Sequence, residues 1–227
     1  MSTMQGDDVT LVVVDDPVGE AAAACRQALR EADGELGRAR FAVSGGSASE
    51  VVRHVREGIP ELWSRVALTW ADERCVPFAS ADSNRGHAHA TGQLRTDHPP
   101  AIELPLFLDG ETPEEAAERA EEGFVRDFGR AVDVVLLGMG ADGHVASLFP
   151  SRGDPKGLVG YLEDSPKPPA ARVTLTRDTL LTARTTVLFA CGEAKREALT
   201  RLIAGDPLLP ATGLPGLLIV TDVELRS

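Results

Sequence analysis

Cysteine and lysine are both scarce in this 227-residue chain. The three cysteines, Cys25, Cys75 and Cys191, are odd in number, stand far apart and form no C-x-x-C pair. That excludes a disulfide framework and a zinc ribbon, and it fits a reducing cytoplasm. Only three lysines, at 156, 167 and 195, accompany 20 arginines, so a lysine beside a motif stands out. Basic charge is short as a whole: 23 Lys and Arg face 35 Asp and Glu, a formal net charge of −12. Such a surface repels phosphate backbones and anionic lipid, so neither nucleic acid nor a membrane is an expected partner. The N-terminal Met1–Asp8 has no basic residue and leads into a short apolar run, so neither a signal peptide nor a membrane span is expected. No repeat of 20 to 50 residues and no G-x-S-x-G elbow occurs, which leaves solenoids and serine-hydrolase triads without support.

What is present is a globular composition, 43% apolar and 26% charged, with length enough for a full core in one domain spanning residues 1–227. Disorder as the main state is excluded. Runs rich in β-branched residues recur at Val9–Val14, Arg40–Val43, Val66–Trp70, Val132–Leu137, Arg172–Leu175, Thr185–Ala190 and Leu217–Val220. Most are continuously apolar, the pattern of strands buried on both faces of a parallel sheet. Stripes of helical period lie between them, through Val18, Ala21, Cys25 and Leu29, through Ala117, Ala120, Phe124 and Phe128, and through Ala194, Ala198 and Leu202. The alternation predicts an α/β fold: a Rossmann-like, mostly parallel sheet flanked by helices on both faces. The Pro- and Gly-rich stretch 151–170 is expected to be a long surface loop.

Ligands of open parallel sheets bind beyond the carboxyl ends of the strands, so motifs just after strands matter most. Ser44-Gly45-Gly46-Ser47 follows one strand and precedes a helical stretch over Ala48–Arg56. Close backbone approach and free N–H groups make this a phosphate cradle; the plainer alternative is a turn capped by Ser47. Asp72-Glu73-Arg74 follows the next strand, ahead of Asp82-Ser83-Asn84. Charges there are costly unless paired or used, though a surface salt-bridge cluster is the alternative. Gly138, Gly140 and Gly143 satisfy G-x-G-x-x-G, but Pro150 and the Pro-rich stretch replace the long helix that dinucleotide binding requires. The segment instead offers His144 near Asp142 in a Gly-rich turn, a suitable place for an acid–base imidazole rather than a merely satisfied histidine. Lys195 opposes the dipole of the helix it begins, which an anion would offset, and a solvated lysine is the alternative. His87 and His89, two apart on a helix expected after Ser83, point about 200° apart and do not chelate together, so no metal is expected. Cys25 is expected in the core, and Cys75 carries no nucleophile signal.

Taken in order, these motifs together with Val76-Pro77, Ala146–Pro150, Arg172-Val173-Thr174 and Gly192 resemble the 6-phosphogluconolactonase family over about residues 10–222. Two departures stand out: Ala48-Ser49 where the family usually has Thr-Pro, and Phe149 where the related glucosamine-6-phosphate deaminases carry a glutamate. The resemblance implies a Rossmann-like fold and cofactor-free hydrolysis of a small phosphorylated sugar lactone, by a monomer or weak homo-oligomer. It also implies roles. His144 is the general base, with Asp142 or Asp72 orienting it or the water, and Arg74 stabilises developing negative charge. Ser44, Gly45, Gly46, Ser47, Arg172 and Lys195 hold the phosphate, with Gly140 and Asn84 close to the sugar. A deaminase-like isomerase and a non-catalytic sugar-phosphate sensor are the alternatives.

Overall fold

The computed structural model describes residues 2–5, 9–150 and 152–225; Met1, residues 6–8 of the polar N-terminus, Ser151 and residues 226–227 lie outside it. Strands β1 (Ser2–Gln5) and β2 (Val9–Val13) precede helix α1 (Pro17–Leu36). The Asp16 carboxylate accepts the Gly19 N–H at 3.0 Å to start that helix, and Gly37 ends it at φ +68°. Strand β3 (Ala39–Val43), helices α2 (Ser49–Gly58) and α3 (Pro60–Trp63), and strands β4 (Val66–Trp70) and β5 (Asp72–Arg74) follow. Next come α4 (Asn84–Ala90), β6 (Ile102–Leu104), α5 (Pro113–Phe128) and β7 (Val134–Gly138). The chain closes with β8 (Val159–Leu162), β9 (Arg172–Leu175), α6 (Arg177–Leu180), β10 (Thr185–Phe189), α7 (Arg196–Ile203) and β11 (Leu217–Thr221).

Eight strands form the main sheet in the order β1-β2-β11-β10-β7-β3-β4-β6. Every pair is parallel except β1 with β2. Strands β4 and β10 are buried along nearly their whole length, as both-face burial by helices requires. From β3 the chain moves outward to β4 and β6, then returns to β7 on the other side of β3. That reversal is the topological switch point, where ligands bind in open α/β sheets. At the opposite, amino-terminal ends of the same strands, fully buried Asp133 receives Arg40 Nη2 at 2.5 Å and the Arg40 backbone N–H at 2.9 Å.

The parallel α/β expectation holds, with two corrections. Arg172–Leu175 does not join the main sheet; it is the centre of a separate antiparallel sheet ordered β5-β9-β8. All four of its residues are buried, so its apolar pattern mimics a central strand of the large sheet. The stretch expected to be one loop contains β8, whose Val159 is buried against the shared core. Near Ser47 the helical stretch expected from Ala48 opens earlier, as a 3-10 turn over Gly46–Ala48, with α2 proper following from Ser49, and Ser47 makes no cap; Ser49 Oγ donates to Gly46 O at 2.7 Å instead. Cys25 is buried in the core as expected, and Ser83 caps α4 by accepting the Gly86 N–H at 2.9 Å.

Candidate active site

A cavity of about 250 Å³ opens beyond the carboxyl ends of β3, β7 and β10 and against β5. Eleven of the twelve residues singled out from the sequence line it: Ser44, Gly45, Gly46, Ser47, Asp72, Arg74, Asn84, Gly140, His144, Arg172 and Lys195. Gly138, Met139 and Ala146 complete the wall. The twelfth, Asp142, stands behind His144. A larger open groove of about 790 Å³ runs between α5 and β8, but it gathers Glu114, Glu118, Glu121 and Glu122 against the lone cation Lys156 and offers no anion-binding set.

Ser44 leaves β3 with its N–H donated to Leu136 O at 2.9 Å, while its buried hydroxyl has no hydrogen-bond partner among the described residues. Gly46, at φ +63°, turns the chain into the 3-10 segment that leads α2, and a helix start leaves its first N–H groups without intrahelical acceptors. A β-carbon on Gly45 would collide with the Asn84 side chain, so the second wall closes directly on the glycine turn.

That second wall is set by the small sheet, which places Asp72 opposite Thr174 and Arg74 opposite Arg172. Glu73, buried between them, accepts N–H groups from Arg74 at 2.8 Å, Asn84 at 2.7 Å and Arg85 at 2.8 Å, with the Ser83 hydroxyl at 3.2 Å. It pins the start of α4 to β5. Burial pushes its carboxyl up, and the three backbone N–H groups only partly oppose this. Asp72 accepts Ser147 Oγ at 2.8 Å, Asn84 Nδ2 at 3.3 Å and Arg172 Nη1 at 3.4 Å. Ser147 lay inside a motif noted from the sequence, yet nothing there signalled this contact across 75 positions. Arg74 donates Nη1 to Asp82 O at 2.8 Å, and its buried Nε has no partner among the described residues.

Arg172 lines the cavity but commits its guanidinium to the chain itself. Nε donates to Pro169 O at 3.0 Å, and Nη2 to both Lys167 O and Pro168 O at 3.2 Å. Nη1 approaches Asp72 and Ser147 Oγ, each at 3.4 Å. Burial, and Arg74 after it, draw the guanidinium pKa down against the pull of Asp72. Its surroundings describe a brace rather than an open anion ligand. Lys195 differs: it ends the 3-10 turn Glu193–Lys195, faces the cavity, and makes no ion pair among the described residues.

The Gly-rich turn after β7 folds back on itself, with Gly140 N–H donated to His144 O at 2.8 Å and Gly143, at φ +87°, donating to Gly140 O at 3.0 Å. His144 Nδ1 meets Asp142 Oδ1 at 2.5 Å, and its ring centroid lies 4.8 Å from that of Phe149. Partial burial pushes the Asp142 carboxyl up, but the hydrogen bond from His144 and the nearby charges of His144 and Lys167 outweigh it and hold the pKa below the usual range. An Nδ1–H donated to a carboxylate leaves the Nε2 of a neutral imidazole free to accept, which is the arrangement an oriented base requires. Of the two aspartates left open by the sequence, Asp142 is the one that touches the imidazole. Among the described residues no group of three or more His, Cys, Asp or Glu is arranged to hold a metal ion, and His89 is paired with Glu103 at 3.0 Å.

A family described as glucosamine-6-phosphate isomerases/6-phosphogluconolactonase matches residues 14–218. The 6-phosphogluconolactonase of Homo sapiens is 37% identical over 179 residues, covering 73% of this chain and 69% of that protein. That of Pseudomonas aeruginosa is 36% identical over 183 residues, covering 78% and 76%. The crystal structure of 6-phosphogluconolactonase from Thermotoga maritima superposes with a TM-score of 0.76 at 27% identity, covering 94% of this chain and 99% of the other. By sequence and by fold, the chain belongs to the glucosamine-6-phosphate isomerase/6-phosphogluconolactonase family.

Proposed function

We propose that this chain hydrolyses 6-phospho-D-glucono-1,5-lactone to 6-phospho-D-gluconate, the lactone-opening step of the pentose phosphate pathway. The observation that carries this reading is the Asp142–His144 pair aimed into a cavity whose other walls supply the glycine turn 44–47, Arg74 and Lys195. Family relatives named 6-phosphogluconolactonase support it.

The substrate's phosphate is a dianion that calls for dipoles and a full charge together, which the N–H groups at the start of α2 and the unpaired Lys195 provide. With the phosphate held, the lactone carbonyl is oriented toward His144. Nε2 takes a proton from water as the water oxygen attacks the carbonyl carbon. The developing oxyanion faces Arg74, whose buried Nε has no partner among the described residues. Collapse of the tetrahedral intermediate breaks the bond to the ring oxygen, which receives the proton from the imidazolium, leaving a carboxylic acid that ionises. Asp142 holds the ring and stabilises its charged form. Arg172 braces Asp72, and Asn84 offers its carbonyl oxygen to sugar hydroxyls.

Phe149 packs on the imidazole where a deaminase would carry its glutamate, so amine-releasing ring chemistry lacks that carboxylate. We further infer a cytoplasmic enzyme, monomeric or weakly self-associating; no helix among the described residues is long and apolar enough to cross a membrane. The decisive test generates the lactone enzymatically and follows its disappearance with and without the protein, subtracting spontaneous hydrolysis. A rate above background is expected. Binding of 6-phosphogluconate with no turnover would mark a sensor instead.

A further inference from the structure

Two of the chain's three lysines stand at this site, and only Lys195 faces the cavity. Lys167 stands outside the cavity lining, against Asp142. Its Nζ is 3.6 Å from Asp142 Oδ2 while Oδ1 of the same carboxylate receives His144. The segment carrying it is tied down from two directions. Arg172 Nη2 donates to the backbone oxygens of Lys167 and Pro168, and Arg172 Nε to that of Pro169. Ser165 Oγ donates to Lys167 O at 3.0 Å and accepts the Lys167 N–H at 3.3 Å. A buried arginine that also touches Asp72 therefore fixes the backbone of an exposed lysine whose ammonium meets the carboxylate paired with His144.

We propose that Lys167 is a positioning residue for His144: clamped by Arg172, it holds the second oxygen of Asp142 so that the first stays directed at the imidazole, and its charge opposes protonation of that imidazole. This rests on the lactonase reading, because it gives the lysine a role only if His144 is the base. A cation on a flexible stem suits the position because it can meet the one carboxylate oxygen that His144 leaves free. Neither Lys167 nor Asp142 lines the cavity, so the expected influence is on the base and not on substrate affinity.

The charged groups that share the site with the imidazole are Asp142 on its own turn, Asp72 and Arg74 on β5, Arg172 on β9 and Lys195 before α7. On the loop itself Asp164 is paired with Arg152. All are unchanged by a substitution at 167, which isolates the lysine.

The test compares Lys167→Met and Lys167→Arg with the parent protein in full pH profiles of kcat and KM. Lys167 is exposed, so its replacement leaves the core untouched. Loss of a partly screened charge should move the acid limb of kcat/KM to higher pH by about 0.2–0.7 unit in the Met variant. KM should be unchanged, and Lys167→Arg should restore the limb. High salt should move the parent's limb toward that of the Met variant. The His144 ring titration followed by NMR reads the same coupling without turnover, so an absent lactonase activity would overturn the functional reading and leave this one still measured. Superposable titrations in parent and Met variant, or a raised KM as the main effect, would overturn the role proposed for Lys167.

Discussion

The imidazole of His144 is confined by Asp142 at Nδ1, by the Phe149 ring, and by Gly140, where a β-carbon would overlap the ring. His144→Asn keeps a polar shape but removes the imidazole proposed as base; kcat should fall roughly 10²–10⁴-fold while 6-phosphogluconate still binds, measured by steady-state kinetics and calorimetry. Gly140→Ala should lower kcat by displacing the ring, with a near-normal unfolding midpoint, and an unaffected rate would mean the ring position is not critical. Lys195→Ala should raise KM about 10-fold or more through loss of a charge-assisted hydrogen bond to phosphate. Asp142, held below the ordinary aspartate value of 3.8, makes a signed prediction about stability. Between its lowered folded value and its unfolded one the folded chain binds fewer protons, so its contribution is present above about pH 4 and is lost as pH falls. Urea midpoints of Asp142→Asn should therefore decline less steeply below pH 4 than those of the parent. The effect is small, because the side chain is 38% exposed.

At the scale of elements, the two ends of the parallel strands divide the work. The amino ends of β3, β7 and β10 meet at Asp133, whose carboxylate holds Arg40 and whose backbone oxygen accepts the N–H groups of Arg184 and Thr185 at 2.9 and 3.2 Å. Asp133→Ala leaves Arg40 without its buried partner and should lower unfolding free energy by about 3–5 kcal/mol, with kcat of the folded fraction preserved. The carboxyl ends diverge into the site loops. The strands of the large sheet were legible because burial on both faces leaves continuous apolar runs such as Val-Val-Leu-Leu in β7. The glycine turns and charged triplet were legible because little else explains them after a strand. Arg172–Leu175 was misassigned to the large sheet because periodicity reports burial and not which sheet does the burying. Strand β8 is four residues long amid prolines and glycines, and it acquires order from pairing with β9. The contact of Lys167 with Asp142 spans 25 positions across that same stretch, so no local pattern encodes it.

At the scale of the whole molecule, an acidic shell surrounds a small basic pocket, and the chemistry proposed depends on side chains and water alone. Dialysis against a strong chelator should leave turnover unchanged; activity lost and then restored by one divalent ion would reveal a metal requirement that the donor arrangement does not suggest. The choice of arginine at 20 positions and lysine at three has a practical consequence for the bench. Amine-directed reagents find only three lysine ε-amino groups in the sequence, and two of them stand at the candidate site, Lys195 in the cavity wall and Lys167 against Asp142. Sparse acylation should thus act as a footprint of occupancy: product bound in the cavity should shield Lys195 and leave Lys156 and Lys167 labelled, a pattern readable in one mass spectrum of the digested protein.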